Sequence, residues 1–113
     1  GWQAVAADKA QYNTVSANMS YTSSPNPLDV SQQAIDAVAL NADVVPVTAA
    51  GNSSSSTSSS SSTANGLAVA AATATVKTVA SFSSRGPLSG DTTRFFPDIL
   101  ANGVSTVMPA RRA

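Results

Sequence analysis

Cysteine, histidine and glutamate do not occur in the chain. Without cysteine there are no disulfide staples and no thiol chemistry. Without histidine there is no imidazole to work as a base near neutral pH. Charge is also sparse: six acidic and six basic residues in 113 cancel to zero. The basic residues are scattered, so no patch points to nucleic acid as a partner. Arg111-Arg112 is the one basic pair and reads as solvated charge at a terminus. No apolar run reaches the roughly 18 residues of a membrane span, so no membrane role is expected. The start, Gly1-Trp2-Gln3, shows no basic segment and no apolar core of a signal peptide. The expectation is an internal piece of something longer, folded as one domain over residues 1–113 with one modest core.

Order along the chain can be read from periodicity. Trp2, Val5, Ala6 and Ala10 share a helical face, which predicts a short amphipathic helix from Trp2 to about Gln11. Val15 to Tyr21 reads as a strand, and Thr22 to Pro27 as a loop. Asp29 or Ser31 can cap a following helix, with Gln32 placed for a capping box on Asp29. In that helix Val30, Ala34, Ile35 and Val38 form the expected buried stripe, with Gln32, Gln33 and Asp36 outward. Asn41 ends it. Ser53 to Thr63 is almost all serine, nine of them between Ser53 and Ser62. Such a segment cannot bury a core and reads as a loop or spacer. Leu67 to Thr73 is a strand, and Thr78 to Ser83 a candidate for another. Leu88 to Thr93 is loop, and Phe95-Phe96 and Ile99-Leu100 are expected to add late core residues. No internal repeat is visible.

The most informative stretch is Val44-Val45-Pro46-Val47-Thr48-Ala49-Ala50-Gly51-Asn52. An unbroken apolar run of this kind suits a strand covered on both faces of a parallel sheet. Strand, helix and strand from Val15 to Ala50 make a βαβ unit, and the fold class is α/β. Ligands in such sheets bind beyond the carboxyl ends of the strands. Asn52 offers a side-chain N–H₂ donor at that end. The same residues also suit a strand followed by a plain Gly-Asn turn.

Four segments in order carry a resemblance: Asn18-Met19-Ser20-Tyr21; Val47-Thr48-Ala49-Ala50-Gly51-Asn52; Ala80-Ser81-Phe82-Ser83-Ser84-Arg85-Gly86-Pro87; and Pro97-Asp98-Ile99-Leu100-Ala101-Asn102-Gly103-Val104. They resemble the subtilisin-like serine proteases, or subtilases, across nearly the whole chain. That likeness implies a partial three-layer fold with a mainly parallel sheet flanked by helices. It implies acyl transfer at a peptide bond, with a polypeptide as substrate. Asn52 then takes the place of the family's oxyanion-hole asparagine. In that family, the worked case of such a donor, its loss costs about 10²–10³ in turnover. Ser20, Tyr21 and Thr22 match the strand that pairs with substrate backbone. Thr22 stands where glycine is usual and so crowds the peptide. Ala49, Ala50 and Gly51 match one wall of the main specificity pocket. Secretion or a cell-surface location is the family's habit. Calcium is a common family ligand, but no cofactor is evident and no metal-ligand cluster can be matched here.

The resemblance also names what these residues do not include. The family's catalytic aspartate and histidine segments lie upstream of the matched region, and its catalytic serine downstream. The serines of Ser53–Thr63 are no substitute, because an unactivated hydroxyl is a poor nucleophile. The chain alone is therefore expected to be inactive. Each aspartate reads as a cap or a solvated charge. Pro46 inside a central strand and Asn102 in place of the family's proline depart from the pattern. Two alternatives stay open: a non-catalytic peptide-binding module, and a serine-rich surface or spacer protein.

Overall fold

The computed structural model describes residues 1–20, 26–54, 63–75, 77–88, 91–107 and 109. The element order is α1 (Trp2–Tyr12), β1 (Ser16–Met19), α2 (Val30–Ala42), β2 (Val45–Ala49), β3 (Leu67–Thr73) and β4 (Ile99–Val104). The four strands form one sheet in the order β1-β2-β3-β4. Every neighbouring pair is parallel. This is the α/β class expected from the sequence.

Side chains alternate across the sheet. Met19, Pro46, Thr48, Ala68 and Ala70 point to one face and are buried. Both helices lie on this face. Trp2 of α1 donates its indole N–H to Met19 Sδ at 3.1 Å. Trp2, Met19, Ala34 and Ile35 line one cavity between helices and sheet. Ile35 and Val38 are buried there. The opposite face, with Asn18, Val45, Val47, Ala49 and Val69, is half-buried or exposed. The described residues thus form a slab 20 Å thick, one helical layer on one sheet.

Local chemistry explains most element ends. Asp29 is the N-cap of α2, accepting from Ser31 N–H at 2.9 Å and Ser31 Oγ–H at 2.6 Å. Gln33, not Gln32, is seen reaching back to the preceding turn, where its amide donates to Leu28 O. α1 and α2 both end in residues with left-handed backbone, Asn13 and Asp43. Such residues tolerate positive φ better than most.

Several expectations need correction. Gln32 faces the core and is fully buried, while Val30 is 81% exposed. The buried row of α2 is Gln32, Ile35 and Val38, rotated from the expected stripe. A buried amide is tolerated when partnered, and Gln32 has a partner. Thr78–Ser83 is not a strand: only Val79 bridges, antiparallel, to Ala72. Thr73 and Thr78 close a tight turn by hydrogen bonds instead. The first strand is shorter than expected, and Tyr21 lies outside the described residues. The serine run is described only at its ends, so its loop reading also lies outside them.

Of the four expected late core residues only Phe96 is half-buried. Phe95 is 96% exposed, and Ile99 and Leu100 are 44% and 46% exposed. Among the described residues no helix separates β3 from β4. β4 is an edge strand, paired only with β3.

Pro46 keeps its central position without breaking the ladder. Val45 N–H points to Val15 O of the β1 side, and Ala50 N–H to Val69 O of β3. By alternation the missing N–H of Pro46 would face β3. Pairing with β3 begins only at Val47 opposite Leu67. The proline therefore sits one step before that ladder starts, where no donor is required.

Candidate functional site

The carboxyl ends of the four strands form one edge of the slab, and β2 leaves it through Ala50-Gly51-Asn52. Ala50 and Gly51 are buried, and Ala49 is half-buried. Gly51 has φ 106°, a conformation that a side chain would strain. It turns the chain sharply, so that Asn52 emerges exposed just past the strand's end.

The exit is held from one side by the loop Ala80–Ser84. Ala80 N–H donates to Ala71 O at 2.8 Å, and Ser83 N–H closes a turn on Ala80 O. The buried Ser83 Oγ accepts from Ala71 N–H at 3.0 Å, which fastens the loop to β3. Ser84 N–H then donates to Gly51 O at 2.9 Å. Ser84 Oγ accepts from Ser53 N–H at 3.0 Å. Ser54 N–H donates to Phe82 O at 3.0 Å. Three hydrogen bonds thus tie residues 51–54 to residues 82–84. The sequence offered Ala80–Pro87 only as a family signature. Sequence reasoning misses its strapping role, and the adjacent pair of serines beside Phe82 is the available signal.

A second clamp orders the opposite end of β3. Asp98 N–H donates to Ala68 O at 3.0 Å, and Asp98 Oδ2 accepts from Ala68 N–H at 2.7 Å. Here a carboxylate finishes a backbone ladder. Two other aspartates also accept from backbone N–H groups. Asp36 accepts from Asn65 N–H, and Asp91 from Thr93 N–H and Thr93 Oγ–H. The Thr93 hydroxyl and amide hold the Asp91 carboxyl below the usual carboxylate range.

Of the residues singled out from sequence, Ser20 and Ala49 come together. With Asn18, Asn102 and Gly103 they line an open depression of about 310 Å³ on the helix-free face. Asn18 Nδ2–H donates to Ser20 Oγ at 2.9 Å, which fixes that hydroxyl at the end of β1. Ala50, Gly51 and Asn52 do not line the depression; they follow directly after Ala49 in the chain. Tyr21 and Thr22 lie outside the described residues. Among the described residues no three aspartate, glutamate, cysteine or histidine side chains converge to hold a metal. No described helix is long and apolar enough to cross a membrane.

What such an edge can do follows from its parts. A turn-borne amide donor stands beside small residues at the end of a parallel sheet. The donor is exposed, and its backbone is fixed from behind. That suits stabilisation of charge that develops on something arriving from solvent. The whole chain has no histidine to serve as a base for such a reaction.

Comparison with known proteins agrees with this layout. The solved structure of the S41 psychrophilic protease superposes with a TM-score of 0.66 and 28% sequence identity. The match covers 90% of this chain and 36% of that one, so the chain spans about a third of the neighbour's length. No curated protein matches the sequence. The model of the subtilase family matches residues 3–112. A match over that span is nearly the entire chain, and on it the chain belongs to the subtilase family.

Proposed function

We propose that these residues form part of the substrate cleft of a subtilisin-like serine endopeptidase. Asn52 supplies the oxyanion donor. As a peptide carbonyl is attacked, negative charge collects on its oxygen, and a fixed N–H₂ group lowers the energy of that state. Ala49, Ala50 and Gly51 form one wall of the pocket that admits the substrate side chain. Ser20, Tyr21 and Thr22 lie along substrate backbone. The polypeptide substrate is thus held by strand pairing and a small-residue pocket, and the family's habit supports a location outside the cell or on its surface.

The observation that supports this reading most is the position of Asn52. It is exposed at the exit of a central parallel strand, behind a glycine with positive φ. Base and nucleophile would come from other segments, because no imidazole is present. The 113 residues by themselves are accordingly inert. Any calcium requirement rests on the family alone.

Two observations test the proposal. The 113-residue chain, incubated with a serine-directed fluorophosphonate probe, is expected to stay unlabelled. Stoichiometric labelling of one serine would refute the assignment of roles. The coding DNA on either side is expected to carry, in frame, a histidine segment upstream and a Gly-Thr-Ser segment downstream. Peptide binding without either segment would favour the non-catalytic module instead.

A further inference from the structure

The loop that straps the exit of β2 touches the residues on both sides of Asn52, and it does so largely through one residue. Ser84 N–H donates to the carbonyl of Gly51, which belongs to the peptide unit entering Asn52. Ser84 Oγ accepts from the N–H of Ser53, which belongs to the unit leaving it. Each peptide unit is planar, so pinning one atom of each restrains the plane. The two planes set φ and ψ of Asn52 and hence the direction of its Cα–Cβ bond. Ser84 is fully buried, so its own position is set by packing. We infer that Ser84 is a positioning residue that aims the Asn52 amide; this rests on Asn52 being the oxyanion donor. Ser83, one residue earlier, holds Ala71 of β3 instead. Its hydrogen bonds run to Ala71 and Ala80 rather than to residues 51–53.

The pair of serines provides its own control. In the 113-residue chain, ¹⁵N relaxation is expected to show increased motion at residues 51–54 in Ser84→Ala. Ser83→Ala is expected to lower stability while leaving residues 51–54 as ordered as before. In the full protease, Ser84→Ala is expected to lower kcat about tenfold, since small misplacement of a catalytic group is costly. KM should stay within about twofold. In an Asn52→Ala background the same substitution should cost under about twofold, because residues acting as one unit are not additive. A full tenfold loss in that background would overturn the inference and assign Ser84 a merely structural role. If Asn52→Ala itself leaves kcat intact, the donor reading fails. The relaxation data then still decide whether Ser84 fixes the loop. Should Ser84→Ala not fold, hydrogen exchange in the unaltered chain decides: the Ser53 amide is expected to be protected, and exchange at the unprotected rate would overturn the clamp.

Discussion

The two faces of the sheet are made of similar residues but live in different surroundings. On the helical face Thr48, Ala68 and Ala70 are at most 2% exposed. On the other face Val45 is 52% exposed, although it adjoins the buried Pro46 in the same strand. Burial here is a property of what packs on a strand, not of the strand's own side chains. The stretch Val44–Val47 shows no polar alternation, which is how a strand covered on both sides reads. The described residues cover only one.

The comparison can be broken most easily by large-to-small substitution on each face. Ile35→Ala removes a fully buried side chain and should cost about 2–5 kcal/mol in denaturant unfolding. Val45→Ala should cost under about 1 kcal/mol. Equal losses would mean that the open face is covered in solution.

Openness does not imply tolerance everywhere, and Gly103 sharpens that point. Asn102 pairs with Ala72 and Val104 with Thr73, which leaves Gly103 as the extra residue of a bulge. A Cβ placed there would stand 2.6 Å from Ala71 Cβ and 3.1 Å from Ala71 Cα. Gly103→Ala should therefore cost about 1–3 kcal/mol despite lying at the open face. A neutral result would show that β4 shifts freely.

Smaller effects are expected away from the sheet. Asp29→Ala deletes the N-cap of α2 and should cost about 1 kcal/mol by thermal unfolding. Asp91 is smaller still, because its hydrogen bonds to Thr93 lie at the surface. Its pKa is lowered in the folded chain, so its contribution is complete above the unfolded carboxylate pKa. It is lost as pH falls through the lower, folded value. Asp91→Asn should accordingly lower stability slightly at neutral pH, where the charged carboxyl contributes, and flatten the acid-side decline.

Much of this arrangement was legible in the sequence. The observed ends of Leu67–Thr73 are legible, because Asn65-Gly66 marks a turn before it and the apolar run stops at Thr73. The N-cap at Asp29 and the exit at Gly51-Asn52 follow from local chemistry that needs no distant partner. The orientation of α2 was not legible, since Gln32 and Val30 exchanged places according to what each meets in three dimensions. Phe95, Ile99 and Leu100 failed for the same reason: hydrophobicity marks a wish for cover, not its presence. The strap is hidden because the hydrogen bonds that join Ser84 with Gly51 and Ser53 link residues more than thirty positions apart.

The central claim is that Asn52 acts through its N–H₂ group and not merely by forming a turn. Asn52→Asp in the full protease separates the two, since aspartate suits such turns as well as asparagine does. A carboxylate has no N–H₂ to donate and repels a developing oxyanion. The expected result is a fall in kcat of at least about 10²-fold, with KM little changed. A kcat within about twofold of the unaltered enzyme would contradict the donor role and leave Asn52 a turn residue.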